Sequence, residues 1–408
     1  MKQVRSKWMA VTALLLSITA GAQELDYFLD LADGQNPELQ AMRLKYDLAV
    51  ERVEEAGALP DTEIGAGLFV SEPETRTGAQ KARFSIRQML PWFGGITARE
   101  ELAGSMAEVD YLDWVIARRK LRLETAQSYY RLQALQQQVG ILQQQEALLD
   151  SWSEIALTGV SNGRASAVDV LRLDIRKEDL VARRRIRENG FAAQHTAFFR
   201  RINAGESEIA FPAEAWPDSL PAATPAILGP HPELERYERL FESVMRDEAV
   251  NRKEAAPKLG LGVDYIPVAE RTDMAMADNG KDILMPMVSL SVPLFNTKYR
   301  SRTRQNQLRQ EALKAEELSR RNTLEALLAD AIQGRESARI RYNTASGNIV
   351  KTRQAIEILL KNYQTDTVDF TELLEMQEIE LRLLLERTEA LEAYLGQAAL
   401  VNYLTAEP

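Results

Sequence analysis

Hydrophobic and polar positions along this chain follow two periods, one helical and one of two residues, and the blocks in which they occur repeat. Leu25 to Ala56 carries a helical pattern interrupted near Asn36-Pro37, where Asn36 is placed to cap and Pro37 suits a first helical turn. Gly57 and Pro60 end it. Residues 63–71 then alternate, with Ile64, Ala66, Leu68 and Val70 opposed to Glu63, Gly65, Gly67 and Phe69. A polar loop with Pro73 and Gly78 leads to 82–90, where Phe84, Ile86 and Leu90 oppose Arg83, Ser85 and Arg87, and Pro91-Trp92-Phe93-Gly94-Gly95 closes this predicted hairpin. Residues 96–157 contain no Pro, and apolar or small residues recur at Leu112, Ile116, Leu123, Ala126 and Tyr130, with a polar lapse at Arg119. A turn at 158–167 precedes a returning helix at 168–202. Residues 204–230 carry Pro212, Pro217, Pro221, Pro225 and Pro230, cannot form one helix, and read as a connector.

The second half, 231–408, replays the first. A helix from Pro232 to Ala255 leads to an alternating strand at 258–266, and a loop leads to a second strand at 285–294. A long helix over 298–362 steps through Ala345, Ile349, Thr352, Ile356, Leu359 and Tyr363, and a return helix over 370–404 through Leu374, Leu381, Leu384, Thr388, Leu391, Leu395 and Ala398. Short motifs recur in the same order. Asn36-Pro37-Glu38-Leu39 returns as His231-Pro232-Glu233-Leu234, and Leu90-Pro91-Trp92-Phe93 as Val292-Pro293-Leu294-Phe295. A looser pair is Gly163-x-x-Ser166-x-x-Asp169-Val170-Leu171 and Asp366-x-x-Asp369-x-x-Glu372-Leu373-Leu374. An offset of roughly 200 residues marks a duplicated unit rather than a solenoid repeat.

Length sets a geometric condition. Each long helix is about 95 Å at 1.5 Å per residue, and a short helix stacked on a return helix sums to about 100 Å. That match suits a wall of uniform height. Each strand is about nine residues, the length of a tilted membrane strand. Four strands do not close a barrel, and open edges in lipid cost several kcal/mol per unpaired backbone group. Identical copies must therefore share one barrel. Two copies give eight strands and a nearly filled interior; three give about twelve and a passage. The competing reading is two soluble hairpins packed on helices.

Composition narrows the class. The net charge of −10 excludes nucleic acid as the expected partner. The chain has no Cys, which removes thiol catalysis, Cys-based zinc sites and disulfides. Only two His residues are present, His195 and His231; neither pairs with a carboxylate at a catalytic spacing, no phosphate loop is present, and the chain reads as a non-enzyme without metal or cofactor. Lys2, Arg5 and Lys7 followed by apolar Met9 to Ala20 and small Ala20-Gly21-Ala22 predict a signal peptide at 1–22, cut after Ala22.

These residues resemble the TolC-like outer membrane efflux proteins. The resemblance rests on Asn36-Pro37-Glu38-Leu39, Ala56-Gly57-Ala58-Leu59-Pro60, Gln88-Met89-Leu90-Pro91-Trp92-Phe93-Gly94, the Gly163 to Leu171 motif, Val292-Pro293-Leu294-Phe295, and Tyr363 with Glu372-Leu373-Leu374. It implies a mainly α fold with a membrane β-barrel: a trimer with a twelve-stranded barrel, four strands per protomer, and a periplasmic α-helical barrel. It also implies a passive conduit for drugs, metal ions or other exported cargo. Its partners would be a periplasmic adaptor (membrane fusion protein), an inner membrane transporter of RND or ABC type, and outer membrane lipid. Alternatives are a periplasmic coiled-coil adaptor, which would have one hairpin and soluble β domains, or a structural envelope protein. The chain departs from the family in lacking a lipidated Cys, so no lipid anchor is expected, and in having Asp366 where a Gly is usual.

By that resemblance Glu372, Glu375, Tyr363, Asp366 and Asp369 mark a periplasmic aperture. Glu372 and Glu375 share a helix face, and carboxylates from several copies around a narrow pore would favour cations. Gly163, Ser166, Asp169, Val170, Leu171, Leu373 and Leu374 mark adaptor-docking tips; Ser166 is also placed to cap a helix. Met274, Met276, Met285 and Met287 lie in or beside the second extracellular loop, where thioethers can hold Cu(I), although packing is their ordinary role. Trp92 and Tyr265 fall near strand ends, where interfacial aromatics are favoured.

Overall fold

A computed structural model of the chain describes residues 20–162, 166–211, 217–222, 226–273, 277–294, 297–365, 368 and 370–405. Residues 1–19 of the expected signal peptide fall outside these residues. Helices α1 (Ala20–Gln35) and α2 (Pro37–Gly57) are separated at Asn36. The Asn36 Oδ1 accepts from the Leu39 amide at 3.0 Å, and its Nδ2 donates to the Arg201 carbonyl at 2.8 Å. Asn36 therefore caps α2 and ties it to the end of a distant helix. Strands β1 (Thr62–Leu68), β2 (Glu74–Thr75), β3 (Gly78–Ala79) and β4 (Ala82–Leu90) follow. Next come α3 (Gly95–Ser161), α4 (Ala167–Arg201), α5 (Pro232–Glu254), β5 (Lys258–Ile266), β6 (Ile283–Ser291), α6 (Thr297–Gln364) and α7 (Phe370–Thr405).

The chain divides into two compact units, and each draws on both sequence repeats. One comprises Met1–Ala41, Val115–His231 and Arg321–Pro408; the other comprises Met42–Trp114 and Pro232–Arg320. In the first unit, helices pack along heptad-like seams. On α3, Gln138, Leu142, Gln145, Leu149, Trp152 and Ala156 are buried at alternating steps of four and three. Further up, the buried face is Leu121, Thr125, Ser128 and Leu132. Leu112 and Ala126 of the expected line are buried as well, while Arg119, Leu123 and Tyr130 border an open groove with Leu395 and Ala398. Helix α3 carries two apolar faces, and periodicity alone does not rank them. On α6, Ala345, Ile349, Thr352 and Ile356 are buried as the pattern predicts.

The second unit contains the sheet. Its order is β1-β4-β5-β6, with every neighbouring pair antiparallel. The β4–β5 pairing joins the two repeats. Strand ends are set by partners. The ladder between β1 and β4 ends at Leu68 opposite Ala82, so β1 is shorter than the alternation to residue 71 suggests. The ladder between β5 and β6 runs from Ile283 opposite Ile266 to Ser291 opposite Lys258, which shifts β6 ahead of the expected 285–294. No helix among the described residues is long and apolar enough to cross a membrane.

Candidate functional site

Register turns four separate alternations into two continuous faces. Ile64, Ile86, Val263 and Pro286 form one row across the sheet; Ala66, Phe84, Tyr265 and Leu284 form the next. Leu261 with Val288, and Leu90 with Leu259 and Leu290, extend the same face. It is uncovered in the single chain: Ile64 is 79% exposed, Leu284 69% and Val288 74%. An apolar face of this extent marks contact with another chain or with lipid. The opposite face carries Glu63, Arg87, Gly262 and Met287 in one row, and Gly65, Ser85, Asp264 and Met285 in another. Asp264 is fully buried there and ion-paired with Arg83. Among the described residues, both outer strands, β1 and β6, have one unpaired edge. Pro286, which lacks an N–H, lies in an edge strand, where proline is tolerated.

The loops at one end of the sheet are knitted together. Gly280 N donates to Thr77 O at 2.8 Å, Ala269 N to Ala79 O at 2.8 Å and Lys81 N to Pro267 O at 3.0 Å. Gly78 has φ of +135°, and a Cβ there would lie 1.7 Å from the Ala269 carbonyl oxygen, so only glycine fits. Asp282 accepts from the Val268 amide at 2.9 Å and from the Tyr265 hydroxyl. Met274 and Met276 lie outside the described residues, while Met285 and Met287 are on the polar face of β6.

The helical tips belong to the first unit. Ser166 caps α4: its Oγ accepts from the Val168 amide at 3.1 Å, and Asp169 Oδ2 accepts from the Ser166 amide at 3.2 Å. Leu171 is 61% exposed, Val170 is half-buried, and Leu373 is buried with Leu142, Leu149, Trp152, Ala156, Leu173 and Phe370. Leu374 packs against that cluster. Tyr363 meets Phe370 edge-on at 5.0 Å, joining the ends of α6 and α7. Glu372 and Glu375 are exposed on one face of α7. Gly163, Asp366 and Asp369 lie outside the described residues.

Between the two tips runs a set of contacts that the sequence reading missed. Arg172 donates to the Thr371 hydroxyl at 2.6 Å, Arg176 to Gln377 at 3.3 Å, and Arg183 pairs with Glu378 at 3.5 Å. Gln377 also donates to Gln145 at 2.7 Å. Burial and the neighbouring Arg183 push the Arg176 guanidinium below its ordinary pKa. The signal available in sequence was the spacing of Arg172, Arg176 and Arg183 by four and seven on α4.

No protein-family profile and no curated protein sequence matches the chain. Solved structures do. The outer membrane protein VceC of Vibrio cholerae superposes with a TM-score of 0.74 at 15% identity, over 94% of this chain and 96% of its own. CusC, studied for the changes that accompany folding and transmembrane channel formation, gives 0.77 at 14% identity, over 94% and 92%. The CmeC outer membrane channel of Campylobacter jejuni gives 0.72 at 14% identity, over 93% and 85%. The chain has the fold of the TolC-like channels. A TolC-like fold combines a helical barrel and a β-barrel, and the four-stranded sheet and the long helices α3 and α6 are this chain's elements of those two kinds.

Proposed function

We propose that the chain is one protomer of a passive outer membrane channel. The observation that carries this reading is the sheet, with a continuous uncovered apolar face, a polar opposite face and two unpaired edges. Water does not favour such a face, and lipid does not tolerate such edges. Both conditions are met when β1 of one copy pairs with β6 of the next. The alternating strand directions make that junction antiparallel, as in a barrel with an even number of strands. Three copies supply about twelve strands and a water-filled interior. The structural neighbours that bear the words outer membrane or channel support the location.

The paired helical tips then form the periplasmic end, where Glu372 and Glu375 line an aperture and Leu171 and its neighbours meet a periplasmic adaptor working with an inner membrane transporter. The channel consumes no energy and catalyses no reaction; cargo is set by the transporter. The test is fractionation followed by reconstitution. The chain should leave outer membranes only with detergent and give discrete, cation-favouring conductance steps in a planar bilayer. E372Q/E375Q should lower cation preference without changing assembly. Recovery as a soluble, non-conducting periplasmic protein would contradict the reading.

A further inference from the structure

A cavity of about 380 Å³ lies within the sheet-bearing unit, at the end of the sheet that leads into the helices. Strand register fixes which side of the sheet it borders. Gly260 pairs with Met89 and with Ser289, and Lys258 pairs with Ser291; these rows continue the polar face that holds Arg87 and Met287. Met89, Lys258 and Ser291 all line the cavity. It therefore borders the polar side of the sheet. Pro60, Leu90, Pro91 and Trp92 add an apolar wall, and the charged lining is Arg99, Lys253, Lys258 and Glu254. Glu254 is taken up by Arg302 at 3.0 Å. None of the three cations forms an ion pair among the described residues, although the chain as a whole carries a net charge of −10.

Lys253 donates to the Phe93 carbonyl at 3.1 Å, which holds its ammonium beside the turn that starts α3. Arg99 lies near the start of α3, where the helix dipole adds to its positive charge. Like charges gathered around one space disfavour one another, and a bound anion relieves that cost. A space of this size, part charged and part apolar, suits a small organic molecule better than a bare ion. We propose that Arg99, Lys253 and Lys258 bind the acidic group of a small organic anion in the wall of the passage, with Pro91 and Trp92 against its apolar body. This rests on the polar face of the sheet bordering the passage, as in the function proposed above. Every copy that shares the barrel adds the same three cations at the same level, so acidic cargo meets a resting site at the junction of sheet and helices. The carboxylates Glu372 and Glu375 belong to the other unit and act separately.

Full-length protein in detergent is dialysed to equilibrium against naphthoate, its neutral analogue naphthamide, and inorganic phosphate. Naphthoate should bind saturably and more tightly than either. R99Q/K253Q/K258Q should bind it on the order of tenfold more weakly, since exposed charge pairs each contribute modestly. R99K/K253R/K258R should retain binding, W92A should weaken it, and K281Q, at the other end of the sheet, should leave it unchanged. In planar bilayers at about 10 mM salt, where charges act over about 30 Å, the triple glutamine variant should raise cation preference, the opposite of E372Q/E375Q. Equal binding of naphthamide, unchanged binding by the triple glutamine variant, or an unchanged ion preference would each overturn the proposal. The two claims separate cleanly. Conducting protein without anion-selective binding sinks this site alone, whereas a water-soluble chain that never conducts sinks the channel reading.

Discussion

Single side chains decide how the helices of this chain begin and meet. Asn36 satisfies the α2 amide of Leu39 and the Arg201 carbonyl together. N36A should cost about 2 kcal/mol, combining a lost cap with an unpaired carbonyl, whereas N36D, which keeps the acceptor, should cost about 1 kcal/mol; chemical denaturation measures both. The cap was legible in Asn36-Pro37, but the Arg201 contact was not, because nothing local announces a partner so distant in sequence. Glu248 is a second such node. Burial works against its carboxylate, but bonds from Thr303, Asn306, Asn251 and Arg252 outweigh that and hold its pKa below the ordinary value. A depressed carboxylate stabilises the fold above the unfolded pKa of about 4.3 and loses that contribution as pH falls through the folded value. Thermal stability should therefore drop on acidification from neutral pH, and E248Q, already less stable at neutral pH, should show a shallower drop.

Elements were read more reliably than their contacts. Strand alternation was visible because period two survives in sequence, and the structure places Ile64, Phe84, Ile86, Val263 and Val288 on one face. Strand ends were less legible, since the partner fixes them: β6 stops at Ser291 because Lys258 is the last residue opposite it. The α3 pattern is legible at Leu112 and Ala126, which are buried, and less so at Leu123 and Tyr130, which border the groove, because ranking its two apolar faces needs the neighbouring helix. The two sheet faces should respond oppositely to charge. Arg at Val263, in the middle of the apolar face, should destabilise the membrane-inserted protein by about 2–4 kcal/mol. M287R, on the polar face, should be tolerated for folding and alter conductance. Equal effects of V263R and M287R on folded yield in outer membranes would contradict the assignment of faces.

At the scale of the molecule, duplication was the most legible property, since paired motifs such as Asn36-Pro37 and His231-Pro232 survive where overall similarity does not. The spatial units were not legible, because each assembles segments of both repeats. The tips were half legible. Ser166 caps α4 as its place in the motif implies, with Asp169 completing the box; Leu373, named with the docking tips, is buried in the core beneath them, and the arginine contacts between α4 and α7 are invisible without the fold. The account depends on the open edges of β1 and β6 meeting in different copies. Because the chain has no Cys, E63C/M287C places one thiol on each edge strand with no competing thiol. Treatment in outer membranes with a flexible thiol cross-linker should give a denaturing-gel ladder of one, two and three chains that ends there. Cross-linking confined to single chains, in a protein that is soluble without detergent, would contradict the account.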